Sequence, residues 1–109
     1  MKIVFQDTQL EELIEGEKCG KYKKYLRDAV FLGKLKTLIA YLGQCVSVAE
    51  AQQARRFAIE RLVGDRSGQY SARVDYKRKE RLIFTTNEEQ TEVTVVLIEL
   101  SVDHYGTAR

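Results

Sequence analysis

At 109 residues, 44% hydrophobic and 31% charged, the chain has material for one hydrophobic core and not for two. No stretch is long and apolar enough to span a membrane, and Ile3-Val4-Phe5 is too short for a signal-peptide core, so the expected setting is the cytoplasm. The formal net charge is only +2, but nine Lys/Arg stand against four acids between Arg55 and Arg81, which leaves the rest of the chain at −3. Seven of those nine cations are arginine, whose planar fork suits bidentate phosphate contacts. The window therefore fits a polyanion or an acidic partner, with a solvated face of local ion pairs as the plainer reading. Cys19 and Cys45, 26 positions apart and without a zinc-type spacing, read as reduced thiols. No metal or cofactor is expected.

In chain order, Lys2 to Gln6 reads as a short strand. Thr8 with Glu11 has the form of a capping box opening a helix with Leu10, Leu13 and Ile14 on one side and a stop near Gly16. Lys18 to Lys24 is a basic connection through Gly20. A longer helix is predicted from the recurrence of Tyr22, Tyr25, Leu26, Ala29, Leu32, Leu35, Ile39 and Leu42, with Gly43 as its stop. Ser47 and Glu50 form a second capping box, and the helix they start carries Ala51, Ala54, Phe57 and Ala58. After Leu62 the period drops to two. Tyr70, Ala72, Val74 and Tyr76 fall on one face of a strand with Ser71 and Arg73 on the other. In the next strand Leu82 and Phe84 share one face, Arg81 and Ile83 the other. Asn87 to Gln90 is a polar turn, and Glu92 to Leu100 is the most apolar strand. The expected architecture is α+β, in two layers: an N-terminal strand, two or three helices, then a three-stranded antiparallel sheet.

Three features could carry chemistry. The stretch "ERLVGDRSGQYSARVD" runs from a helix end through a glycine-containing loop into a strand. Arg81 sits within a mostly apolar strand, where a cation must be paired, with Glu60, Asp75 or Glu99, or aimed at an anion. The lone histidine, His104, stands beside Tyr105 where the last strand runs out; it is either a solvated strand cap or a proton donor.

Taken together, Leu62, Gly64-Asp65, Ser67-Gly68, Tyr70-Ser71, Arg73, Arg81-Leu82-Ile83-Phe84 and His104-Tyr105 form an ordered set. In this the second half of the chain resembles the RelE/ParE superfamily of bacterial toxins, in the HigB and YoeB direction. The resemblance implies one RelE-like domain over residues 1–109. It implies the toxin of a type II toxin–antitoxin pair that cleaves mRNA on the ribosome, without a metal or cofactor. The substrate's 2′-hydroxyl would attack the adjacent phosphate, leaving a 2′,3′-cyclic phosphate and a free 5′-hydroxyl. The matching positions imply Glu60 as base, Arg81 as the transition-state cation and His104 with Tyr105 as the terminal acid pair. Arg61, Arg66, Arg73, Lys77, Arg78 and Lys79 would hold RNA phosphates, and the protein partner would be a helix-turn-helix antitoxin.

Two departures from the pattern stand out. Val63 occupies a position where many relatives carry lysine. The hairpin between Asp75 and Arg81 is longer by about two residues, and Tyr76-Lys77-Arg78-Lys79-Glu80 lacks the Asn-Gly of a tight turn. A two-residue loop at Lys77-Arg78 would pair Val74 with Arg81 and send Arg73 and Arg81 to opposite faces, whereas three or five residues put them together. The longer loop is expected. A decayed RNA- or antitoxin-binding module, and an interaction domain for an acidic peptide, are the competing readings. The gyrase-poisoning ParE branch lacks the acid–base set.

Overall fold

The computed structural model describes residues 1–18, 20–89, 92–102 and 107–108. Strand β1 (Lys2–Phe5) leads into helix α1 (Thr8–Glu15), a 3₁₀ segment (Gly20–Tyr25), helix α2 (Ala29–Gln44) and a single helical turn α3 (Val48–Ala51). Strands β2 (Glu60–Leu62), β3 (Gln69–Arg73), β4 (Arg81–Glu89), β5 (Glu92–Ser101) and β6 (Thr107–Ala108) complete one sheet in the order β1-β5-β4-β3-β2-β6. The expected α+β arrangement holds, but the sheet has six strands. It is mixed, because β1 runs parallel to β5 while every other pairing is antiparallel.

Several local expectations change. The cap of α1 is Asp7 and not Thr8: its Oδ1 accepts from the amides of Gln9 and Leu10 at 3.0 and 3.3 Å. A carboxylate there also meets the positive end of the helix, which a hydroxyl does not. Gly16 closes α1 in the left-handed conformation, as glycine permits. Tyr22 and Tyr25 belong to the 3₁₀ segment and not to α2, since a spacing of three matches the 3₁₀ repeat as well as an α-helical face. The α2 helix starts only where the Asp28 side chain accepts from the Phe31 amide. Its buried stripe is Phe31, Leu35, Leu38 and Leu42. Ser47 does cap α3, but the helix lasts one turn, and Phe57 reaches the core from a 3₁₀ turn that ends at Ala58 in the left-handed region. The chain then enters β2 where a helix end was predicted.

Apolar residues of the sheet, Ala72, Leu82, Phe84, Val95, Leu97 and Leu100, meet Leu10, Leu13, Phe31, Leu35, Leu38 and Leu42 from the helices. In a regular strand Leu97 and Glu99 would share a face. Here Phe84 pairs with Leu97 and Ile83 with Glu99, so Ile98 is an extra residue in β5 and the phase reverses across it. The bulge sends Leu97 and Leu100 to the helices and Glu99 to the opposite face.

The β3–β4 turn is fastened to the helical layer. Arg78 donates to both oxygens of Glu80, at 3.1 and 2.9 Å, and to Asp28 Oδ2, and its guanidinium lies 4.5 Å from the Phe31 ring centroid. Tyr25 Oη donates to Glu80 at 2.9 Å, and Lys34 pairs with Asp75 at 3.3 Å. Arg78 holds Asp28 below the usual carboxylate range. Burial works against the charge of Glu80, yet the bonds from Arg78, from backbone and from Tyr25 hold it low as well. Carboxylates depressed in the folded state contribute stability that is present above their ordinary range, about pH 4, and lost as pH falls through the folded values. Arg78→Ala strips buried Glu80 of its cation and should cost about 2 kcal/mol in urea denaturation at neutral pH. The same variant should show a weaker loss of stability on acidification than the parent, because its Asp28 and Glu80 no longer titrate against a fixed guanidinium.

Candidate functional site

Register decides which side chains meet on the sheet face turned away from the helices. Arg73 pairs with Arg81, and Arg81 with Ser101; one step along the strands, Glu60 pairs with Ser71, Ser71 with Ile83, and Ile83 with Glu99. Residues directly opposite across antiparallel strands point to the same side. Glu60, Ser71, Arg73, Arg81 and Glu99 therefore share one face. The seven residues Val74 to Glu80 between the paired arginines are odd in number, which is the parity that the longer loop required.

Arg73 and Arg81 stand directly across from one another, a placement in which like charges repel. Neither forms an ion pair among the described residues. Two of the three acids that could have neutralised Arg81 are engaged elsewhere, Glu99 with Arg66 at 2.9 Å and Asp75 with Lys34, while Glu60 forms no ion pair with it among the described residues. Arg81 Nη1 donates to the nearly inaccessible hydroxyl of Ser71 at 3.3 Å, which orients the guanidinium. Two half-buried arginines side by side, with no counter-ion among the described residues, have the chemistry of an anion site, since an anion between them removes the repulsion. Glu60 lies two strands over and one row down from Arg81. Standard sheet spacings put their Cα atoms about 12 Å apart, a gap that a glutamate and an arginine close from both sides around a phosphate-sized group.

The other cations diverge. Arg66 is shared between Gln69 (2.9 Å) and Glu99. Arg78 holds the turn to the helices. Arg61, Lys77 and Lys79 are exposed. Arg61 lines a cleft of about 390 Å³ with Val63, Gly68 and Tyr70, where β2 turns into β3. Val63 is exposed at its edge.

His104 and Tyr105 lie outside the described residues. The residues that bracket them are informative: Ser101 stands next to Arg81, and Thr107 pairs with Leu62 on the strand that carries Glu60. Among the described residues no three His, Cys, Asp or Glu side chains converge as metal ligands, and no helix is long and apolar enough to cross a membrane. Ser71, the partner of Arg81, was visible only as part of the Tyr70-Ser71 pair. A short hydroxyl two positions before one strand arginine is the signal that could have assigned it.

No protein-family model matches the chain, and no curated protein matches it in sequence. Among solved structures it is similar to the YoeB/ParE toxin from Agrobacterium tumefaciens, with a TM-score of 0.58 over 95% of this chain and 100% of that one, at 17% identity. The chain thus has the fold of that toxin.

If Arg81 is reserved for a ligand, Arg81→Ala should change folding stability by less than about 1 kcal/mol, as is usual for side chains outside the core and its ion-pair networks. Relief of the repulsion with Arg73 should offset part of even that. A loss as large as that expected for Arg78→Ala would make Arg81 structural.

Proposed function

We propose that the chain is the toxin of a type II toxin–antitoxin pair and acts as an endoribonuclease on mRNA, in the cytoplasm and on the ribosome. The observation that carries this reading is the Arg73–Arg81 pair, without an ion pair among the described residues, on the face that also holds Glu60. The fold shared with a YoeB/ParE toxin and the ordered motif ending in His104-Tyr105 support it. In this reading Glu60 takes the proton from a ribose 2′-hydroxyl. The 2′-oxygen attacks the neighbouring phosphorus, and Arg81, with Arg73 beside it, stabilises the charge that builds on the phosphorane oxygens. The bond to the 5′-oxygen breaks, and His104 supplies the proton that the leaving oxygen needs, with Tyr105 packing against or bonding the same region. Arg61, Lys77 and Lys79 guide the flanking strand. The inhibitor would be a helix-turn-helix antitoxin. Exposed Val63, in place of a lysine, favours one alternative, a binding module that has lost the nuclease step.

Induced expression with 5′-end mapping of cellular RNA separates the two. The wild type should give new ends carrying 5′-hydroxyls, with 2′,3′-cyclic phosphates upstream, and Glu60→Gln or His104→Gln should lower cleavage by ~10²–10⁴-fold while RNA binding persists. Binding without new RNA ends from the wild type would leave the decayed module.

A further inference from the structure

The ten residues from Lys18 to Arg27 carry five cations and no acid. Lys21 is used by Asp7, at 3.3 Å. Lys18, Lys23, Lys24 and Arg27 form no ion pair among the described residues, and with Gly20 and Leu26 they line an open groove of about 900 Å³. The backbone beneath is held firmly. Gln9 Oε1 accepts from the Lys21 amide at 2.7 Å. Tyr22 Oη donates to Asp7 at 2.6 Å and accepts from the Leu100 amide at 3.1 Å, while Tyr25 is tied to Glu80. Long cationic side chains thus project from a fixed floor, so little backbone ordering remains to oppose binding.

Those same bonds locate the groove. Leu100 precedes Ser101, which stands beside Arg81, and the Tyr25 ring has Lys24 at 5.1 Å and Arg78 at 5.8 Å from its centroid. The groove therefore adjoins the end of the sheet that carries Arg73 and Arg81, with exposed Lys77 and Lys79 on the neighbouring turn.

We infer that this groove binds the phosphodiester backbone of the RNA strand beyond the linkage held at Arg73 and Arg81, an inference that rests on the RNA-cleavage reading. A strand that leaves the sheet face and turns round this end of the sheet carries further phosphates at regular intervals, and the groove on the helical side offers cations without an ion pair among the described residues. Contact is to backbone alone. Tyr22 and Tyr25 are buried, with Lys21 and Lys24 over their rings, so no aromatic face is open for a base to stack on. The contact is accordingly independent of sequence. An acidic peptide fits less well, because among the described residues Leu26 is the single large apolar one lining the groove, whereas an amphipathic helix needs several anchors.

The test uses the full chain and a fluorescent 2′-fluoro oligouridine, which has no 2′-hydroxyl and cannot be cleaved, with poly-glutamate as the acidic-peptide probe. The triple variant Lys18→Gln, Lys23→Gln, Arg27→Gln should melt with the parent, since none of these side chains has an ion-pair partner among the described residues. Its RNA affinity should fall at low salt, and the slope of log K against log salt should flatten by about 2, roughly 0.7 for each lost single-strand phosphate contact. An unchanged slope overturns the inference and leaves a solvated loop. A loss for poly-glutamate equal to or greater than that for RNA overturns it in favour of an acidic protein partner. If the parent itself ignores RNA, the nuclease reading falls together with it.

Discussion

The site depends on a matter of parity. The register pairs Arg73 with Arg81 across a seven-residue connection, so the two arginines stand opposite one another and on the same face. A change of one residue in the turn would rotate one of them into the helical layer. The turn cannot easily slip, because Arg78, Glu80 and Asp75 clamp it to Asp28, Tyr25 and Lys34. Opposed charges outside the sheet thus hold like charges together within it. The energy for keeping Arg73 and Arg81 side by side comes from the clamp and from the apolar face behind them.

The β5 bulge makes a second decision of the same kind. By shifting phase at Ile98 it delivers Leu97 and Leu100 to the core and Glu99 to the site face, where Glu99 engages Arg66. Had Glu99 been left without that partner, it would have been free to neutralise Arg81, one row away. Asp75 is diverted in the same way by Lys34. Two neighbours, Arg66 and Lys34, thus each take a nearby carboxylate away from the arginine pair.

Much of this was legible in the sequence, for physical reasons that can be named. Strands β3 and β4 announced themselves by alternation and β5 by its apolar run, while the spacing read for the long helix caught Leu35 and Leu42 of the α2 stripe and missed Phe31 and Leu38. The shared face of the arginines followed from a turn without Asn-Gly. What escaped was short or ambiguous. Strand β2 has three residues, too few to show a period, and β6 has two. Tyr22 and Tyr25 are three apart, which an α-helix and a 3₁₀ turn satisfy alike. Asp7 and Thr8 are both good caps, and only the helix start decides between them. The bulge leaves no mark in an apolar run. Arg78 was indistinguishable from Lys77 and Lys79 until its carboxylate partners, one of them 50 positions away, came into view. For His104 and Tyr105 the sequence remains the basis, with Ser101 and Thr107 as the bracketing structural facts.

The central claim is that the helix-free sheet face receives RNA phosphate between Arg73, Arg81 and Glu60. Amide chemical-shift mapping of the folded protein with a non-cleavable 2′-fluoro RNA tests it most directly. The account predicts saturable shifts at Glu60, Ser71, Arg73 and Arg81, with the exposed side of α2 around Lys36 and Ala40 unmoved. Shifts confined to the helical layer, with the arginine pair silent, would contradict it.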